Sequence, residues 1–375
     1  MNSSRTPPRT STDFRRSASF PSTEQQQSGE TVNHPFDVYA TATTARPGEA
    51  HNATTLGEVA KNAEKCGFTG LLSFYNNRDL NPWQVASAVL ERTGRLVPLV
   101  AVQPYAAPPF TVAQMIHSLT SLYGRRVDLN LITGASAAEL AQAGDPLGHD
   151  ERYERAEEFI TVVRALLGSA EPLRHEGRHY RYAGLRTHAP LDASLMPRVF
   201  VAGSSEQALT TARAVADVAV THPEPVERFA RDYAAALAGG PRLAVRVELI
   251  TRPTADEAWA AARKRYVTDR AAHMRTAMRR GSESDWSRRL AHLATDGDVY
   301  DGVYWTGGYH SGKGYAPQLV GDYTSVARYL SRYLDAGAST VLLGNLMEDE
   351  EFAHAEATFA ALSTMLPADP PGAAR

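Results

Sequence analysis

"NLITGASAAELAQAGDPLGHDERYERAEEF" runs from Asn130 to Phe159. An apolar strand stops at a polar turn. A loop of small residues and glycines follows, and His149-Asp150 opens a charged helix that carries Tyr153. This is one strand–helix unit, and the rest of the chain repeats it.

Upstream, "FDVYAT" (36–41), "GLLSF" (70–74) and "LVPLVAVQP" (96–104) are short apolar runs. Each is followed by a helix-length amphipathic run, such as "TLGEVAKNAEKCGF" with Leu56, Val59, Ala60 and Ala63 on one face. Downstream, "RVFVAGSS" (198–205), "VAVTH" (218–222), "LAVRVELITR" (243–252) and "STVLLGN" (339–345) complete eight strands. Runs apolar on both faces suit buried parallel strands. Eight units predict a (β/α)8 TIM barrel with insertions after strands 4 and 7. "HYRYAGLRTHAP" (179–190) reads as a short hairpin or an extended insertion rather than a barrel strand, and 281–325 reads as irregular. A doubly wound sheet is the rival, but "TATTARPGEAHN" after strand one lacks its glycine fingerprint.

The chain has 375 residues, 43% hydrophobic, with a formal net charge of −3, enough for a large core and without the basic footprint of a nucleic-acid binder. Residues 1–33 are rich in Ser, Arg, Thr, Pro and Gln and are expected to be a disordered tail, leaving one barrel domain over 34–368. No run reaches the ~18 apolar residues of a membrane span. No apolar stretch follows Arg15-Arg16, so a cytoplasmic location is expected. The lone Cys66 excludes a disulfide framework and reads as an inert, buried thiol. The histidine spacing shows no metal motif.

Barrel active sites lie at the C-terminal ends of the strands. Asn130, Thr133, His149 and Tyr153 gather at the end of strand four. Gly203, Ser204 and Ser205 end strand five where a helix begins. Unpaired N–H groups at that helix start, with two hydroxyls beside them, make a candidate phosphate cradle. "GGYHSGKG" (307–314) approaches a P-loop, but Gly314 stands where Ser or Thr is needed. A mobile glycine-rich lid carrying Lys313 is the better reading.

"GFTGLLSF", "RRVDLNLITG", "DPLGHDERYERAEEF", "HEGRHYRYAG" and "RVFVAGSSEQAL", in that order, resemble the bacterial luciferase-like flavin monooxygenases, nearest to the alkanesulfonate monooxygenase branch. The resemblance implies a two-component enzyme that takes reduced FMN from a separate flavin reductase, uses O2 on a small or medium organic substrate, and forms a homodimer or homotetramer. It implies that Asn130 and Thr133 lie beside the flavin ring or ribityl chain. Tyr153, Gly203, Ser204 and Ser205 would hold the phosphate, and His149 would shape the entry. A deazaflavin-dependent oxidoreductase and a non-catalytic flavin binder are the alternatives.

The substrate half of that pattern departs from the branch. Asp79 stands where it has a cysteine, Glu248 where it has a histidine two residues after Arg246, and Asn345 and Met347 where it has Tyr and His. Lys313 is the cation nearest its loop arginine. Asp79, Arg246, Glu248, Asn345 and Lys313 are therefore the candidate catalytic residues. Arg246 and Glu248 share a strand face and are expected to pair. A pocket with two acids and one compensated base disfavours a simple alkanesulfonate.

Overall fold

Each short apolar run becomes a strand and each amphipathic run a helix packed against it. The computed structural model describes residues 34–366, apart from 135, 188, 269–271, 273 and 275–283. The expected tail (1–33) and residues 367–368 lie outside the described residues. In chain order the elements are β1 (Asp37–Thr41), α1 (Ala53–Lys65), β2 (Gly70–Ser73), α2 (Pro82–Arg92), β3 (Val97–Val102) and α3 (Pro109–Tyr123). Next come β4 (Asp128–Leu131), α4 (Ala137–Gln142), α5 (His149–Gly168), β5 (Leu173–Glu176), β6 (Arg181–Leu185), β7 (Val199–Ala202), α6 (Glu206–Val215) and β8 (Val218–Thr221). Then follow α7 (Val226–Arg228, running into a π turn over Phe229–Ala234), β9 (Arg242–Arg252), α8 (Ala255–Arg265), α9 (Asp285–Asp296), β10 (Val299–Tyr300) and β11 (Tyr304–Trp305). The chain ends with α10 (Gly307–His310), β12 (Gln318–Asp322), α11 (Tyr323–Asp335), β13 (Ala338–Leu343) and α12 (Asp349–Ser363).

Eight strands close a parallel barrel in the order β1-β2-β3-β4-β7-β8-β9-β13, with β13 returning to β1. Alternation along the strands sorts the side chains. Tyr39, Leu72, Leu99, Phe200, Val218, Val220, Ala244 and Leu342 meet inside the barrel. Their neighbours Val38, Ala40, Leu71, Val100 and Val245 face the helices. Both faces are buried, so these strands read as unbroken apolar runs.

One buried carboxylate interrupts β4. Asp128 accepts from Tyr39 Oη at 2.9 Å, from the Arg198 backbone N at 2.9 Å and from Arg198 Nε at 3.2 Å, and it pairs with Arg126 at 2.9 Å. Asp37 adds a second acceptor for Arg198 at 2.8 Å. This network closes the N-terminal end of the barrel, and the charge is tolerated because it is fully bonded.

Strand β9 positions the site. Its first half pairs with β8 and β13, while Glu248–Arg252 overshoots the barrel and pairs with β12. Beyond the rim its inner face continues as Ile250, which packs with Ala258, Ala262, Tyr266, Trp305 and Val320. The second insertion is thus an annex at the C-terminal mouth. The stretch 281–325, expected to be irregular, holds α9, β10, β11, α10 and β12. Two-residue strands carry no readable period, and their pairing with an overshooting strand is a long-range event. Between β4 and β7 the chain forms the β5–β6 hairpin, of which the stretch 179–190 supplies only the second strand, the first being Leu173–Glu176.

Candidate active site

Extending the interior face of the barrel by one residue pair reaches its mouth. Gln103 follows Leu99 and Ala101, Asn130 follows Asp128, His222 follows Val220, and Arg246 follows Ala244. Gln103 and Asn130 are 3% and 8% exposed. Gln103 Nε2, Asn130 Oδ1, His222 Nδ1 and Arg246 Nε lack hydrogen-bond partners among the described residues. A buried polar atom left unpaired costs about 1–3 kcal/mol. Four such atoms lie at the C-terminal strand ends, where a polar ligand would supply the missing partners. Burial pushes the Arg246 guanidinium down to about 10. Burial, and then the Arg246 cation, hold His222 well below its ordinary range. The Trp286 indole lies flat on the His222 ring, with centroids 3.8 Å apart and planes at 13°.

Beside this ring, the loops after β4 and β7 bring the predicted phosphate residues together. Tyr153 projects from the second turn of α5, and its hydroxyl is hydrogen-bonded to Thr133 and Ser205. Its burial raises the phenol above the usual range, partly offset by those two bonds, so it stays protonated. Gly203 has φ +150°, and a Cβ there would meet Ala208 Cβ at 2.6 Å and Tyr153 Oη at 2.8 Å. Glycine is what lets strand end, helix start and tyrosine converge. Ser205 caps α6, accepting from Ala208 N at 3.2 Å. Ser204 is 6% exposed and donates to Asp285 Oδ2 at 3.1 Å. His149, the first residue of α5, stands with its ring 5.1 Å from that of Tyr153. The residues fit a phosphorylated, hydrogen-bonding ring cofactor such as FMN. Helix N–H groups, hydroxyls and a neutral tyrosine suit the phosphate. Asn130, Gln103 and Arg246 suit the polar edge of the ring.

The candidate catalytic residues do not form one cluster. Glu248, 1% exposed, accepts from Arg265 Nη1 at 3.0 Å, from Gln318 Nε2 at 3.2 Å and from Tyr266 Oη. The expected Arg246–Glu248 pair is therefore corrected. Beyond the barrel rim Glu248 meets α8 and β12, which supply an arginine that Arg246 cannot match. Asn345 joins the same network through Tyr266 Oη at 2.9 Å. Arg265 bridges onward to Glu351 at 2.5 Å. Asp79 lies on the β2–α2 loop, paired with His51 at 3.2 Å, and His51 in turn meets Thr44 Oγ1 at 2.7 Å.

Lys313 is exposed at the rim, its Nζ donating to the Val267 carbonyl at 3.2 Å. The loop around it is no loose lid. Gly308 N donates to Gln318 Oε1 at 3.1 Å, and a Cβ on Gly314 would sit 2.7 Å from Gly308 Cα. These glycines serve close packing. Cys66 is buried, 5% exposed, with its thiol pushed up to about 12 by burial.

Gln103 and His222 were missed as site residues, although each ends a barrel strand and the strand-end rule applied to them. Asp285, Trp286 and Arg289 carry no such signal, since α9 comes from the annex.

The luciferase-like monooxygenase family model matches residues 33–340. The chain is 43% identical over 299 residues to 4-(gamma-L-glutamylamino)butanoyl-[BtrI acyl-carrier protein] monooxygenase BtrO of Niallia circulans, covering 79% of this chain and 88% of that one. Among solved structures it is similar to EDTA monooxygenase EmoA from Chelativorans sp. BNC1, with TM-score 0.71 and 17% identity over 88% of this chain and 94% of that one. It is equally similar to riboflavin lyase RcaE, with TM-score 0.71 and 17% identity over 89% and 91%. An F420-dependent secondary alcohol dehydrogenase and a coenzyme F420-dependent tetrahydromethanopterin reductase from Methanopyrus kandleri share the fold as well, so the fold by itself does not choose the cofactor.

Proposed function

Given that the chain belongs to the luciferase-like monooxygenase family, we propose that it binds reduced FMN from a separate reductase and oxygenates an acyl group carried on a carrier protein. The single observation that carries the flavin half is the joining of two features at one opening. Tyr153, Gly203, Ser204 and Ser205 converge at the same end of the barrel as Gln103, Asn130 and Arg246, each of which has a buried polar atom without a partner among the described residues. The carrier half is taken from the carrier-protein-bound substrate for which the 43% identical relative is named.

Bound reduced FMN would supply two electrons to O2, so that one oxygen atom enters the substrate and the other leaves as water. The chain's own residues bind, orient and exclude solvent. The α6 N-terminus and the Ser204 and Ser205 hydroxyls take the phosphate. Asn130 and Gln103 set the ring's rotation by offering an acceptor and a donor. Arg246, with no ion partner among the described residues, presents a cation inside the barrel mouth. That reverses the expected charge balance, because Glu248 is neutralised by Arg265 and leaves Arg246 uncompensated. The mouth therefore favours an acceptor-rich ligand, either the flavin's carbonyl edge or a substrate carboxylate or amide. Phe74 and Leu80 on the β2–α2 loop, and Tyr315 ahead of β12, are exposed apolar groups that an acyl arm would cover. The case against simple alkanesulfonates no longer rests on charge, only on the substrate class of the relative.

The test supplies reduced FMN, O2 and an acyl group in three forms: as a carrier-protein thioester, a coenzyme A thioester and a free acid. Mass spectrometry should find one added oxygen, fastest on the carrier protein. Equal rates on all three remove the carrier reading. Sulfite release from alkanesulfonates at the rate of FMN oxidation would return the protein to the sulfonate branch. Turnover with a reduced deazaflavin and none with reduced FMN would replace the cofactor.

A further inference from the structure

The first turn of α9 is seated in the phosphate cradle. Asp285 takes the Ser204 hydroxyl at 3.1 Å, and the same carboxylate takes Arg289 Nε at 2.9 Å and Arg288 Nη2 at 3.2 Å. The two arginine bonds are local helix pairs, three and four residues apart. The bond to Ser204 is different in kind: it ties the annex to the β7–α6 loop across 81 residues of chain. Asp285 is close enough to Tyr153 for its charge to act on the phenol. Trp286, one residue on, covers His222. Ser204, Tyr153 and the start of α6 are the groups assigned above to the flavin phosphate, and a carboxylate already stands among them.

Resting on the flavin reading, we infer that Asp285 is a resident stand-in for the flavin phosphate: it holds the Ser204 hydroxyl when flavin is absent and must yield it when flavin arrives. A carboxylate and a phosphate monoester, which carries about −1.5 to −2 charge at pH 7, repel each other when they share one hydroxyl donor. The incoming phosphate displaces Asp285 from Ser204, and Arg288 and Arg289 are then shared between the two anions. Arg289 is already divided, reaching Glu224 Oε2 at 3.2 Å as well as Asp285. The consequence is a flavin site kept weaker than its donors allow. That suits a protein which receives reduced flavin from another protein and must release oxidised flavin every cycle.

Asp285→Asn keeps the side chain's shape and removes its charge. Titration of FMN and of riboflavin by flavin fluorescence should show the FMN Kd falling about tenfold with riboflavin unchanged. Stopped-flow dissociation of FMN should slow in proportion. Inorganic phosphate should raise the melting temperature of the variant more than that of the wild type. FMN affinity that is unchanged or weakened in the variant overturns the inference. If the wild type binds neither flavin, the flavin reading fails on its own, and the phosphate arm decides. A variant that phosphate stabilises no more than the wild type then overturns the stand-in role. Asp285→Ser, which keeps a helix-starting side chain, gives the same comparison if the asparagine variant folds poorly.

Discussion

The two sides of the barrel mouth handle polar groups in opposite ways. On the β9–β13 side, Glu248, Arg265, Tyr266, Gln318 and Asn345 form a closed network in which the buried carboxylate has three partners. Around the β3, β4, β8 and β9 strand ends, Gln103, Asn130, His222 and Arg246 each keep a buried atom without one. The first group ties the annex to the barrel. The second is the group that the proposed flavin would meet. Polar residues at strand ends are thus not equivalent in how their hydrogen bonds are satisfied.

The largest effect is expected on the closed side. Glu248→Ala leaves Arg265, Tyr266 and Gln318 without their shared acceptor and should cost about 3–5 kcal/mol, read from chemical denaturation. Flavin affinity of the folded fraction should hardly move. A change below 1 kcal/mol, roughly the scale of an exposed ion pair, would break the contrast.

On the open side the sign reverses. Arg246→Met removes a desolvated cation and should stabilise the fold by about 1 kcal/mol, while flavin binding and turnover collapse. A melting temperature that falls together with activity would place Arg246 in the structural group.

Ser204→Ala combined with Ser205→Ala should weaken FMN binding at least about tenfold, since bonds to a charged group are worth roughly 1.5–3 kcal/mol each. Riboflavin, lacking the phosphate, should be affected little. Equal losses for both would mean that the serines only shape the start of α6.

His222 sharpens the contrast through pH. Its folded pKa is depressed by burial and by Arg246. The unfolded chain takes up that proton near pH 6.5, so the folded state binds fewer protons and stability falls as pH drops below about 6.5. In Arg246→Met the cation's contribution is gone and the folded pKa rises, so the loss on acidification should level off at a higher pH than in the wild type. Identical pH profiles for the two proteins would show that Arg246 does not reach His222.

Lys313→Ala should have the smallest effect. Its ammonium donates to the Val267 carbonyl at the exposed rim, and contacts of that kind are worth under about 1 kcal/mol. Flavin affinity should change less than about twofold. A large rise in wasted O2, read as hydrogen peroxide, would restore the lid role that the packed glycines of 307–314 argue against.

Much of this was legible in the residues. The period of the apolar runs gave the strands, and their number gave the barrel. Gly203-Ser204-Ser205 announced a helix start, while only the family resemblance implied that Tyr153 would join it. These are local signals, a few residues long, enforced by backbone geometry and by burial of both strand faces. The partner of Glu248 was not legible, because two residues on one strand face look adjacent until the strand leaves the barrel between them. Nor was the annex, whose two-residue strands exist only by pairing with the overshoot of β9.

The sequence by itself determined the alternation of elements, the closed parallel sheet and the small-residue turn at Gly203-Ser204-Ser205, since each follows from side-chain period and glycine at fixed positions. Only the tertiary structure decided which polar groups are satisfied. It delivered Arg265 to Glu248 and left Arg246 without an ion partner among the described residues. It also set Asp285 on Ser204 from 81 residues away. Hydrogen-bond satisfaction depends on distances of about 3 Å between atoms remote in the chain, and no local pattern encodes those.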